Sequence, residues 1–173
     1  MSDYRVVRNA DELLRQRVVL LCGELDEQRA TDVIARLLFL QHEDPCEPIT
    51  LLIDSPGGSV VAGMAIIDTM GTLSPLVRTR CEGGADGMAA VILACGQQGE
   101  RVVVRGSSLS LTQVTARIEG KEAALERTRQ RLAGVLAERT NREAQPVAED
   151  MAEGRFFDAA AAVVYGLADR VEG

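Results

Sequence analysis

Asp54-Ser55-Pro56-Gly57-Gly58-Ser59-Val60-Val61-Ala62-Gly63-Met64-Ala65-Ile66-Ile67-Asp68-Thr69-Met70 is the stretch that decides the fold. It starts where an apolar run, Ile49-Thr50-Leu51-Leu52-Ile53, stops. That run has strand length, and Asp-Ser-Pro-Gly-Gly punctuates it. Proline fixes one φ angle, and the two glycines permit positive φ and a close approach of bare backbone. Val61, Met64, Ala65, Ile67 and Met70 then recur at helical spacing, which predicts a helix. Strand, glycine turn and helix together can aim free backbone N–H groups at a negative charge. The same order also serves as an ordinary strand-to-helix connection.

Outward from this stretch, strands and helices alternate. A short helix is predicted at Asp11–Leu14 and a strand at Arg17–Cys22. An amphipathic helix from Glu27 to Gln41 would bury Ala30, Val33, Ile34, Leu37 and Leu38. His42 to Pro48 reads as a polar loop. Beyond the central helix come a strand at Val77–Cys81, a glycine-rich turn at Gly83–Gly87 and a helix from Met88 to Cys95. Strands follow at Arg101–Val104 and Leu109–Leu111. A long charged helix from Lys121 to Thr140 would carry Ala124, Leu125, Leu132 and Leu136 on its apolar stripe. A short helix at Pro146–Met151 and a last helix capped by Phe156-Phe157-Asp158-Ala159 complete the chain. This alternation argues a mainly parallel sheet covered by helices. There is no internal repeat, low-complexity tract or linker.

With 173 residues, 46% of them hydrophobic, the chain can bury the core of one domain. A net charge of −7 argues against nucleic acid as a partner. Lys121 is the only lysine; the remaining basic residues are arginines without a clustered patch, so the bias reads as compositional. No apolar run approaches membrane-spanning length, and the N-terminus carries no signal-peptide core, which leads to an expectation of a cytoplasmic protein. Cys22, Cys46, Cys81 and Cys95 lack metal-ligand spacing and read as buried free thiols. No cofactor or metal is expected.

From about Leu13 to about Val171 the sequence resembles the proteolytic subunit of the Clp protease, the ClpP family. The stretch Ser55-Pro56-Gly57-Gly58-Ser59-Val60 followed by Ala62-Gly63-Met64-Ala65-Ile66 and Asp68-Thr69-Met70 carries the resemblance most specifically. It implies an α/β fold of the ClpP/crotonase type, a spiral of repeated ββα units forming a single domain. The head would comprise about 1–111 and 155–173, and a handle about 112–154.

A serine hydrolase needs a nucleophile, a base, an acid to orient the base, and donors for the oxyanion. The family's nucleophile lies in a Gly-Gln-Ala-Ala-Ser-Met-Gly-Ala turn, matched here by Gly83-Gly84-Ala85-Asp86-Gly87-Met88-Ala89-Ala90. The nucleophile position is therefore Gly87. The base segment Ile-His-Gln-Pro is matched by Leu111-Thr112-Gln113-Val114, which puts Thr112 in the base position. The acid directly precedes Arg155-Phe156-Phe157, so its position is Gly154, with Glu153 one residue away. The resemblance maps the two oxyanion N–H donors to Gly58 and Met88. His42, the only histidine, reads as a solvated residue. Lys121 would have to serve any serine–lysine dyad, with Ser107, Ser108 or Ser110 as partner, and those serines read as turn and strand residues. Asp86 fits a helix N-cap, and alternatively an acid or base in other chemistry.

Two further departures concern assembly. ClpP proteins form heptameric rings that stack in pairs through the handle. Here Thr115-Ala116-Arg117-Ile118-Glu119-Gly120 replaces the family's glycine-rich handle segment, in a shorter region. The N-terminal gating segment is also short. The family's unfoldase, a Clp ATPase, docks in apolar clefts that include aromatics. The matching positions are Thr50, Leu52 and Val102, and aromatic residues make up only 3% of the chain. The leading reading is a catalytically silent subunit of a Clp-type ring, alone or with active ClpP paralogues. The alternatives are a hydrolase or crotonase-like acyl-CoA enzyme using relocated residues such as Asp86, and a stand-alone peptide-binding module.

Overall fold

The computed structural model describes residues 10–112 and 122–173. A short helix α1 (Ala10–Arg15) leads into β1 (Val18–Cys22), α2 (Glu27–Glu43) and β2 (Ile49–Ser55). Then come α3 (Val60–Thr72), β3 (Val77–Asp86), α4 (Met88–Ala94), β4 (Arg101–Val104) and β5 (Ser108–Ser110). The chain closes with α5 (Glu122–Thr140), α6 (Ala144–Glu153), β6 (Phe156–Asp158), α7 (Ala159–Tyr165) and β7 (Arg170–Glu172).

Strands β1, β2, β3, β4 and β7 pair in that order, all parallel. Parallel neighbours need crossover connections, which the helices provide. The long strand β3 serves two groups of strands. Its first half pairs β4, Thr79 opposite Arg101, and its second half pairs β5, Asp86 opposite Ser110. Strand β6 then adds antiparallel to β5. The register between β2 and β3 slips between Ile53 and Ser55, just before the part of β3 that pairs with β5.

One face of the sheet feeds the core. Val19, Leu21, Ile49, Leu51, Ile53, Cys81 and Val103 are buried with Val33 and Leu37 of α2 and Ile66 of α3. All seven residues of α4 are buried, so the helix that starts at the site runs straight into the core. Residues of this helix cannot be displaced without opening the core, which fixes its first turn in space.

Several expectations need correction. Gly83 to Asp86 is not a turn but the end of β3; backbone pairing with β5 outweighs glycine's poor strand preference. Helix α3 buries Ala62, Gly63, Ile66 and Met70, whereas Val61 is 77% exposed and Ala65 is exposed. Its first two turns, Val60 to Ile67, are apolar all round, so their spacing does not single out one face. Leu38 of α2 is likewise exposed and Leu40 takes its place in the core. Phe156 and Phe157 form a strand, and only Asp158 caps α7, accepting the Ala161 N–H at 2.7 Å. Of the cysteines, Cys81 and Cys95 are buried, Cys22 is half-buried and Cys46 is exposed.

Helix α5 buries Leu132, Ala133, Leu136 and Ala137 in its second half, whereas Ala124 is exposed and Leu125 only half-buried. Its first half therefore stands off the domain. The handle segment Thr115–Gly120, Lys121, Gln113, Val114 and the N-terminal nine residues lie outside the described residues. No helix among the described residues is long and apolar enough to cross a membrane.

Candidate active site

The site is built where the ends of β2, β3 and β5 come together. Each residue of the Ser-Pro-Gly-Gly-Ser turn has a local task. The Ser55 hydroxyl donates to the Gly23 carbonyl at 2.7 Å and accepts the Gly57 N–H at 3.1 Å, tying the ends of β1 and β2. Leu25 brackets the turn by donating to Gly57 and accepting from Ser59 at 2.8 and 2.7 Å. Ser59 caps α3, its hydroxyl accepting the Ala62 N–H at 3.3 Å. A Cβ on Gly57 would stand 2.5 Å from the Asp86 carbonyl oxygen and 3.1 Å from the Met88 nitrogen. Only glycine lets the two turns pack backbone to backbone here.

The second turn joins β3 to α4. Gly87 has φ 50° and ψ −115°, a conformation disfavoured for residues with a side chain. A strand that turns sharply into a helix through one strained residue is the shape of a nucleophile elbow. The Gly87 N–H donates to the Ser110 carbonyl at 2.8 Å. The Ser110 hydroxyl, buried, donates to Asp86 Oδ1 at 2.6 Å. Asp86 is thus not the N-cap of α4. The capping position is Gly87, which offers no side-chain bond, while Asp86 clamps the elbow to β5.

Of the three positions expected to match a catalytic triad, Gly87 and Thr112 meet. A Cβ on Gly87 would run into Thr112 Oγ1 and lie 3.8 Å from Thr112 Cβ. Antiparallel pairing sets Ser110 opposite Phe156, and the Leu111 N–H donates to the Arg155 carbonyl at 2.9 Å. The strand pairing stops there, and a Cβ on Gly154 would meet no other atom within 4 Å, so the expected acid position is not packed against the other two. Gly154 is the left-handed C-cap of α6, with φ 70° and ψ 46°, and its backbone N–H closes the helix onto Met151. Gly87 and Gly154 carry no side chain, and a threonine hydroxyl at 112 is no general base near neutral pH.

The expected oxyanion donors also lie at the paired turns. Met88 is the first residue of α4, so its N–H has no acceptor within the helix. Among the described residues neither the Met88 nor the Gly58 N–H has a hydrogen-bond partner.

The other candidates are elsewhere or engaged. His42 is exposed in the last turn of α2. The first residue of α2, Glu27, accepts from the Ser59 hydroxyl at 3.3 Å, and His42 lies fifteen residues further, about 22 Å along the helix. Ser107 donates to the Cys81 carbonyl and accepts the Gly83 N–H, both at 3.2 Å. Ser108 is exposed in β5. Lys121 is outside the described residues.

Two side-chain networks escaped the sequence. Tyr165, buried on α7, donates to Asp150 at 2.8 Å, and Arg155 pairs with the other oxygen of Asp150 at 2.8 Å. Arg142 stacks over the Tyr165 ring at 4.0 Å. This cluster fixes the end of α6 and so the placement of Gly154. The second network lies on the outer face of the parallel sheet. Register places Thr50 beside Arg78, Leu52 beside Arg80, and Val102 between Arg80 and Arg170. Arg80 pairs with Glu82 and Glu172 at 2.6 and 2.5 Å, and Arg170 with Glu172 and Glu100 at 3.1 and 3.8 Å. Arg78 joins the chain through Glu100 at 3.5 Å. Arg78, Arg80 and Glu82 alternate along β3, and Arg170 and Glu172 along β7, which marks a polar face in the sequence, but which charges pair across strands, and the meeting of Tyr165 with Asp150, depend on register and packing.

An α/β domain with a parallel sheet, an elbow before a buried helix, and a glycine turn packed against it defines a hydrolase-like architecture. The family model described as Clp protease matches residues 2–173. The chain belongs to the Clp protease family.

Proposed function

We propose that this protein is a catalytically silent ClpP-type subunit, acting as a structural or regulatory member of a Clp-type protease ring. The observation that carries the reading is the meeting of Gly87 and Thr112 at the elbow: the expected nucleophile position carries no side chain, and the hydroxyl it faces is no general base near neutral pH. Loss of a whole triad costs about six orders of magnitude in turnover. The frame around the site is intact, which fits a subunit kept for its shape. The committed bond of Asp86 to Ser110 weighs against Asp86 as a relocated acid or base.

Assembly follows from the surfaces. The head helices α2 and α3 are in place, with Leu38, Phe39 and Val61 exposed on them. The first half of α5 carries Glu126, Arg127, Arg129 and Arg131, with Arg129 paired to Glu126 and Arg131 reaching Asp68 of α3, so pairing between handles would rest on surface charges that contribute little and are screened by salt. Around Thr50, Leu52 and Val102 the ion-pair chain surrounds the few apolar side chains, which disfavours docking of an apolar ATPase loop.

A fluorophosphonate probe tests the reading. The protein should remain unlabelled, and Gly87→Ser alone should gain no peptidase activity, because no base stands at position 112. Stoichiometric labelling of any serine in the native protein, or turnover by the single variant, would overturn it.

A further inference from the structure

The loss of the nucleophile leaves a gap, and the structure shows what faces it. Gly87 projects no atom, but the direction in which its side chain would leave the backbone ends on Thr112 Oγ1. The two Cβ positions are 3.8 Å apart, an ordinary contact, so the conflict lies with the branch atom alone. Threonine carries two heavy atoms on Cβ, filling two of its three staggered positions. Turning χ1 one way replaces Oγ1 by Cγ2, and turning it the other way brings the hydrogen round. Only one rotamer in three leaves room for a side chain at position 87.

We infer that Thr112 guards the elbow sterically, so that Gly87 and Thr112 form a coupled pair in which any side chain at position 87 forces Thr112 out of its rotamer into the single one that leaves room. This rests on the reading of Gly87 as the nucleophile position for its significance, but its test does not involve catalysis. Silencing is then encoded twice: no hydroxyl at 87, and a branched residue at 112 that resists one. A serine restored at 87 meets the branch of Thr112 before it meets a substrate.

The test is a thermal double-mutant cycle on the full chain. Gly87→Ala is made with Thr112 retained, with Thr112→Ala and with Thr112→Val. The cost of the positive φ at position 87 is common to all three and cancels in the cycle. Gly87→Ala should lower the melting temperature less in the Thr112→Ala background, by about 2–8 °C for contacting residues in a domain of this size. Thr112→Val, which keeps two branch atoms, should give no such relief. Equal losses in all three backgrounds would overturn the inference. Should Gly87→Ala fail to fold beside threonine or valine yet fold beside alanine, the inference stands. As a second variant, Gly87→Cys with Thr112→Cys should crosslink on mild oxidation, because a Cβ separation of 3.8 Å suits a disulfide. Peptide mapping that finds no such crosslink would contradict the geometry and sink it.

Discussion

Replacing Arg101 by methionine should cost this protein about 3–5 kcal/mol, the range for breaking a buried ion pair from one side. Arg101 is 4% exposed and sits where three helices end. Its Nη1 donates to the carbonyls of Ala94, Arg139 and Gly166 at 3.2, 3.1 and 2.9 Å, at the ends of α4, α5 and α7. Nε and Nη2 grip Asp169 at 3.0 and 2.6 Å. One guanidinium thus offsets the negative ends of three helix dipoles and one carboxylate. Methionine would fill most of the volume but leave those carbonyls without their donor. The Asp169 carboxylate would keep only backbone donors, such as the Arg101 N–H at 2.9 Å. For a domain of this size, the loss corresponds to a fall of about 6–20 °C in melting temperature. Thermal and urea unfolding followed by circular dichroism would measure it.

The same pair sets a pH dependence. Burial alone would raise the Asp169 pKa, but the hydrogen bonds and charge of Arg101 outweigh it and hold the carboxyl below its ordinary value. A depressed folded pKa means that this stabilisation is present above the unfolded carboxylate value and is lost as pH falls through the folded one. The gap between wild type and Arg101→Met should therefore be full near neutrality and narrow below about pH 4. A loss under about 1 kcal/mol at neutral pH, well short of the buried-pair range, would refute the argument. So would a gap that does not change with acid.

Sedimentation across a salt series should show heptamer-like or smaller species, with any double ring weakened as salt rises; a salt-resistant double ring would contradict the reading of α5 as a weakly pairing handle. Thiol titration should divide the cysteines. Burial pushes the Cys81 thiol up to about 12 and the Cys95 thiol to about 11, and burial followed by the Asp54 charge raises Cys22. Cys46 should therefore react first with an aromatic disulfide near pH 8, Cys22 more slowly, and Cys81 and Cys95 only after unfolding. Prompt modification of Cys81 or Cys95 in the native state would show that the core around α4 opens readily.

The fold was legible because its signals are local. The apolar run at Ile49–Ile53, the glycine turn and the apolar segment after it predict strand, turn and helix, and the observed β2 and α3 differ from that only at their ends. The same holds for α2 and β4. Errors came where a segment's partner is remote. Gly83-Gly84-Ala85-Asp86 reads as a turn by composition, and only pairing with β5 more than twenty residues away makes it strand. In α3 the inward face was ambiguous because nearly every side chain is apolar, and the choice fell to the packing of α4 against Gly63 and Ile66.

By itself the sequence determined the residue identities on which chemistry depends: a glycine at 87, a threonine at 112, a glycine at 154 and one histidine, His42. Side-chain chemistry is a property of composition at a position, so these identities needed no coordinates. Only the tertiary structure decided that Gly87 and Thr112 meet, that Asp86 is spent on Ser110, and that the Thr112 hydroxyl stands in the path of residue 87. Those facts depend on strand register and on the slip between Ile53 and Ser55. A one-residue change in register turns every side chain to the opposite face, and nothing in the local pattern of a three-residue strand such as β5 sets that register.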